Sequence, residues 1–250
     1  MEERGRRAGT AAAPGPPTDV GCGGVVCRRE PSFTRRDDGP EPRPARLLRV
    51  GRPAGASSSA RSPLNPIFAA ALEIQEFCRA RDWRFCFIGA LAVQRWGEPR
   101  LTQDVDLTLI SGFGAERRYV DELLRSYTGR IPEAGEFALK NRVLLLQSAA
   151  GIPVDVALGA LPFEERIVER SSAWAIGAMH ALTTCGAEDL VVLKAFAGRD
   201  KDWLDVEGIA LRQGDRLDRA LVWRELEPLL NLKEDTQSGR RLRRLLNKSS

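Results

Sequence analysis

The sequence is poor in catalytic imidazole: among 250 residues there is one histidine, His180. No Ser-His-Asp or Cys-His arrangement can be built around it, which argues against a hydrolase of that type, so His180 is read as structural. The five cysteines, Cys22, Cys27, Cys78, Cys86 and Cys185, are scattered. They give no Cys-x-x-Cys zinc spacing and no disulfide framework, and a reducing, cytoplasmic setting is expected. Cys78 and Cys86 lie inside apolar runs and read as small core residues. No Gly-x-x-x-x-Gly-Lys-Ser/Thr string occurs, which argues against a Walker-type kinase. No apolar run is long enough for a transmembrane helix, and no membrane contact is expected. The arginine-rich start has no apolar h-region and does not read as a signal peptide.

Hydrophobic residues make up 43% of the chain and charged residues 29%. That suits a globular protein of one or two domains with a sizeable core and some excess polar sequence. The excess lies in residues 1–62, which hold most of the prolines, no lysine, and twelve arginines against seven acids. This stretch has no sustained period and too little apolar surface to offset its ordering entropy, so disorder is expected. It reads either as a basic tail that touches nucleic acid or as translated sequence upstream of a true start near Leu64; composition favours the second. The rest of the chain holds 26 basic residues against 27 acids. The basic balance therefore belongs to the tail and says nothing about nucleic-acid binding by the body.

The chemistry is concentrated between Phe87 and Leu107. An apolar run ends at Gly89, and a helix-compatible segment runs from Ala90 to Trp96. The turn Gly97-Glu98-Pro99 then leads to Arg100-Leu101-Thr102-Gln103-Asp104-Val105-Asp106. Asp104 and Asp106 alternate with Val105 and Leu107. On a strand that spacing sends both carboxylates to one face. Two such acids repel unless a cation lies between them, and a hard divalent ion such as Mg²⁺ suits all-oxygen ligands. The bland alternative is a solvated strand edge. Gly89 weighs against it: a helix N-terminus offers free N–H groups to a phosphate, and glycine lets that phosphate approach closely.

The string from Ile88 to Gly97, with Arg100 to Asp106, resembles the nucleotidyltransferase (DNA polymerase β-like) superfamily, and within it the AbiEii-like branch that includes toxins of bacterial toxin–antitoxin systems. The resemblance implies an α/β fold, a mixed sheet flanked by helices with a C-terminal helical region. It places Gly89, Ala90, Arg100 and Thr102 beside the nucleotide. Ala90 departs from the family's usual Gly or Ser, so any phosphate contact there comes from the backbone alone. The family also asks for a third acid on a neighbouring strand, and Asp155, alone in an apolar strand at 151–158, matches that role. Asp104, Asp106 and Asp155 are thus the expected catalytic and metal residues, with two Mg²⁺ ions and Asp155 as a candidate general base.

The remaining elements are read from period and punctuation. Asn65-Pro66 opens a helix to about Arg81. Strands are expected at 83–88, 104–110, 137–139, 143–147 and 173–178, with a helix at 115–127 and a loop at 128–135. In the C-terminal third, an amphipathic helix is expected at 187–197 and another at 217–232. A basic helix at 239–248 reads as solvated and secondarily as an RNA-backbone contact. Lys194, Arg199 and Asp202 lie in a string that also resembles the family and are expected at the nucleotide, whereas Asp205 reads as helix surface. The domains read as a tail at 1–62, a nucleotidyltransferase core at 63–178 and a helical region at 179–250. The implied function is Mg²⁺-dependent transfer of a nucleoside monophosphate from an NTP to a hydroxyl. RNA, especially tRNA, is the first acceptor; a protein or a small molecule such as an aminoglycoside is the second. A nucleotide-binding regulator or toxin–antitoxin component without turnover stays open, as does a cognate antitoxin partner.

Overall fold

A computed structural model describes residues 64–248; the expectations for residues 1–62, with Cys22 and Cys27, lie outside the described residues. The first helix, α1 (Pro66–Arg79), starts as its sequence predicts. Asn65 Oδ1 accepts a hydrogen bond from the Ile67 N–H at 2.9 Å, and Pro66 takes the first turn, where no donor is missed. Then come β1 (Phe85–Phe87), α2 (Gly89–Trp96), β2 (Val105–Ile110), α3 (Glu116–Leu124), β3 (Thr128–Gly129), α4 (Ala134–Asn141), β4 (Val143–Gln147) and β5 (Pro153–Gly159). The chain continues through α5 (Pro162–Glu169), β6 (Ser172–Ile176), β7 (His180–Thr184), α6 (Ala187–Ala197), α7 (Asp200–Gln213), α8 (Arg219–Lys233) and α9 (Thr236–Lys248).

The strands form one mixed sheet in the order β3-β4-β5-β2-β1-β7-β6. β2 runs parallel to β5, β7 parallel to β1, and the other neighbours are antiparallel. Helices flank it on both sides. Alternation divides the side chains: Phe85 and Phe87 join a core with α1, α3 and α4, while Cys86 between them joins a second core with α2 and α5 to α9. Cys78, Cys86 and Cys185 are all buried, as small core residues. No helix among the described residues is long and apolar enough to cross a membrane.

Three local readings are corrected. Residues 137–139 belong to helix α4, not to a strand. The spacing of Phe137 and Leu139 mimics alternation, but the segment is built of strong helix formers, and left-handed residues at both ends, Glu133 and Arg142, bound it. The loop at 128–135 contains the short strand β3, and β7 was not foreseen. Gly177, at φ +74°, turns β6 back into β7, so position 178 falls inside a hairpin and the sheet continues to Thr184. Third, α6 is not one-sided. Leu190, Val191, Val192, Ala195, Asp189 and Lys194 are all buried, because α2, α7, α8 and α9 surround it. The helix at the C-terminus is likewise half packed: Leu242 and Leu246 are buried beneath its arginines.

Candidate active site

The site forms where β1 hands over to α2, at the N-terminal ends of β2 and β5. Asp106 and Asp155 are direct register partners on these parallel strands. Their chain neighbours Val105, Leu107, Val154 and Val156 are sealed in the first core, so both carboxylates project to the opposite, half-open face. Leu145 of β4 is opposite Asp155, and the Ile88 N–H donates to the Asp106 carbonyl at 3.0 Å. One row across the sheet therefore reads Leu145, Asp155, Asp106, Ile88.

Asp104 lies just outside β2. Extending the register by one sets it against Pro153, which has no N–H for the ladder. On the other side the chain has already turned into α2. Thr102 takes over, its hydroxyl donating to Asp104 Oδ1 at 2.9 Å and lying 3.1 Å from the Asp104 carbonyl. Asp104 is thus held by a local side-chain turn rather than by the sheet.

Gly89 is the position where glycine is required. Its φ is +60°, and a Cβ there would stand 2.7 Å from Asp106 Cγ and 2.8 Å from Asp106 Cβ. The first turn of α2 therefore lies directly on the Asp106 carboxylate. Ile88, the residue before the helix, gives no side-chain cap, so the N–H groups of that turn are not claimed by it. The Ala90 methyl is buried, which leaves its backbone as the only group it offers a ligand.

The donor set is all carboxylate oxygen, in adjacent register, and its chemistry fits a hard divalent cation. It is not drawn together as a finished cage: among the described residues no three acids, histidines or cysteines converge as a metal site. Asp155 is instead paired with Arg130.

Lys194, Arg199 and Asp202 come together, but with one another. The Lys194 ammonium lies 3.2 Å from Asp202 Oδ1 and 2.8 Å from Asp205 Oδ2, and the residue is only 7% exposed. Arg199 grips Asp202 through Nε and Nη2 at 2.6 and 3.1 Å. Asp205 is buried, against the expectation of a surface position, because α7 turns that face toward Lys194 and Arg100. Arg100 closes the chain of charges with a bidentate bond to Asp205, Nε at 2.9 Å and Nη2 at 3.1 Å. Its pKa is raised, first by the hydrogen bond to Asp205, with Asp104 among the acids that add to it. The network thus anchors the loop that carries Thr102 and Asp104. Arg130 and Asp205 are the two members of this region that the sequence did not reveal.

Burial alone would raise the Asp205 pKa, but the hydrogen bond from Arg100 and the charge of Lys194 hold it below the ordinary value of 3.8. A depressed folded pKa gives stability that is present above the unfolded value and lost as pH falls through the folded one. The stability gap between the parent and Asp205→Asn is therefore expected to narrow as pH drops below 3.8. Urea melts at pH 7 and at successively lower pH check this; a constant gap would mean Asp205 is not held ionised by these cations.

No family model and no curated protein matches the sequence. Among solved structures, the chain is similar to an antigenic nucleotidyltransferase-like protein from Paracoccidioides brasiliensis, at 15% identity over 73% of this chain and 95% of that one, with a TM-score of 0.41. It is similar to the antibiotic-resistance factor ANT(2'')-Ia at 14% identity, 66% and 92% coverage and a TM-score of 0.44. A third is the lincosamide antibiotic adenylyltransferase LnuA, at 10% identity, 59% and 98% coverage and a TM-score of 0.38.

Proposed function

We propose that this chain is a nucleotidyltransferase of the DNA polymerase β-like superfamily, in its AbiEii-like branch, and that it transfers a nucleoside monophosphate from an NTP to a hydroxyl. The observation that carries the reading is the register pairing of Asp106 with Asp155 beneath Gly89, whose positive φ lays a helix N-terminus on the Asp106 carboxylate. Phosphate recognition and a carboxylate pair are thereby joined in one place, as the Gly89-to-Asp106 string implies.

Asp104, Asp106 and Asp155 would hold Mg²⁺, two ions in the full complex, which would supply positive charge to offset the triphosphate and activate the hydroxyl. The backbone N–H groups at Gly89 and Ala90 meet a phosphate. Thr102 fixes the Asp104 carboxylate, and Arg100 ties that loop to Asp205. Lys194, Arg199 and Asp202 act from behind, through Asp205 and Arg100, to position the loop for the nucleotide. Asp155 accepts the proton of the acceptor hydroxyl. The hydroxyl oxygen then bonds to the α-phosphorus, the bond from that phosphorus to the bridging oxygen breaks, and pyrophosphate leaves. The acceptor we favour is RNA, tRNA in particular, in a cytoplasmic toxin–antitoxin setting with a cognate antitoxin; a protein or small-molecule hydroxyl is second.

The test is incubation of the full chain with α-³²P-labelled NTPs, Mg²⁺ and total RNA. Labelled RNA is the expected product, and Asp106→Asn is expected to lower the transfer rate by at least about a hundredfold while the fold persists. Nucleotide binding without transfer to RNA, protein or small acceptors would instead assign a regulator without turnover. Equal labelling by parent and Asp106→Asn overturns the site.

A further inference from the structure

Arg130 follows β3, and its backbone N–H donates to the Leu145 carbonyl at 2.9 Å. Leu145 is in turn the register partner of Asp155. Arg130 therefore lies two strands from the third acid, with β4 between, and its side chain crosses Leu145 so that Nη2 donates to Asp155 Oδ1. Both side chains are largely buried, at 20% and 16% exposure. Yet Nε of the same guanidinium is buried and finds no hydrogen-bond partner among the described residues.

The unmet Nε sets Arg130 apart from other arginines on buried acids: Arg142, for example, meets Glu116 through Nη1 alone but spends Nη2 on the Gly112 and Leu158 carbonyls. Arg100 on Asp205, Arg199 on Asp202 and Arg166 on Glu225 each engage the acid through Nε and Nη2 together. A permanent partner keeps its buried donors met, on the acid or on nearby carbonyls, because a buried donor left unmet carries a desolvation cost. Arg130 holds Asp155 by one end only. Meanwhile Asp104, Asp106 and Asp155 do not converge into a finished metal site. The guanidinium thus brings positive charge to the carboxylate pair.

We propose that Arg130 is an exchangeable counter-cation for Asp155, in direct competition with a divalent metal ion. Asp155 joins Asp104 and Asp106 as a ligand only when Arg130 lets go, so Arg130 sets the metal affinity of the site. The inference rests on the reading of the three acids as a cation site.

Calorimetric titration of the full chain with Mn²⁺, without nucleotide, tests it apart from any activity. Arg130→Gln removes the competitor and is expected to tighten Mn²⁺ binding by about tenfold to a hundredfold, the equivalent of one lost charge-assisted bond. Arg130→Lys, which keeps the charge but not the fork, is expected to tighten it less and serves if the glutamine variant folds poorly. The gain should vanish in Arg130→Gln with Asp155→Asn, which is expected to match Asp155→Asn alone. A purely structural arginine would weaken the site or leave it unchanged. Mn²⁺ binding that depends on Asp106 but is unaltered or weakened in both Arg130 variants overturns the counter-cation role alone. No Mn²⁺ binding by the parent or either variant overturns the cation site itself, and the proposed function with it.

Discussion

Replacing Lys194 with methionine is expected to cost the fold about 3 kcal/mol, the low end of what removal of one partner from a buried ion pair costs. Methionine fills much the same space, so no cavity forms and the effect is electrostatic. The ammonium bridges Asp202, whose side chain is fully buried, and Asp205, at 4% exposure. Without it the two carboxylates face each other with one arginine each. Arg199 and Arg100 soften the loss, but both already spend Nε and Nη2 on the acid they hold. Urea denaturation of the parent, Lys194→Met, Asp205→Asn and the double variant measures this. The double variant should be less destabilised than the sum of the singles, because the second change removes the charge that the first orphaned. A loss of only a few tenths of a kcal/mol in Lys194→Met, the size of a surface change, would mean that the lysine is solvated.

The same residue shows where the sequence stops being legible. Lys194 lies near the border of an apolar stripe when α6 is drawn as a surface helix, and a border lysine reaches water or a ligand. Nothing within the segment reveals that α8 and α9 close over the helix, since those elements start only at Arg219, well beyond its end at Ala197. Asp205 fails for the same reason: i, i+3 spacing puts it on one face with Asp202, but which way that face points is a tertiary fact. The placing of Asp106 beside Asp155 was legible because alternation is local, and an isolated acid in an apolar strand stands out. Even there, the chain ends the strand at Asp104's neighbour, because Pro153 stops the ladder on the partner strand. Arg130 carried no signal at all. It reaches Asp155 across β4, and no spacing rule connects a loop arginine to an acid two strands away.

Gly89→Ala is expected to cost about 3 kcal/mol and to disable the site more than its stability alone accounts for. Two separate effects contribute. Alanine at φ +60° is strained by about 1–2 kcal/mol. The new methyl also meets Asp106, whose Cγ and Cβ would lie 2.7 and 2.8 Å away, and forcing a methyl into a packed interior costs about 1–3 kcal/mol more. Gly112 separates the two. Its φ is +71°, but nothing lies within 4 Å of the position a Cβ would take, so Gly112→Ala pays the strain without the overlap. Gly97 offers the reverse: its φ is not positive, but an added Cβ would meet the buried Ile209 at Cγ1, 2.9 Å away, and at its backbone nitrogen, 3.3 Å away. Gly112→Ala should therefore lose about 1–2 kcal/mol from strain alone, and Gly89→Ala clearly more. The excess has a functional counterpart. Relief of the overlap needs Asp106 to move off its place beside Asp155 or α2 to lift away, and either motion separates the phosphate-facing turn from the carboxylates. Mn²⁺ affinity, measured at a temperature where Gly89→Ala is still folded, should fall sharply, whereas Gly112→Ala should bind as the parent does. Equal stability losses in the two variants, with parental Mn²⁺ affinity in both, would show that Gly89 answers only to its backbone angle and that α2 does not rest on Asp106.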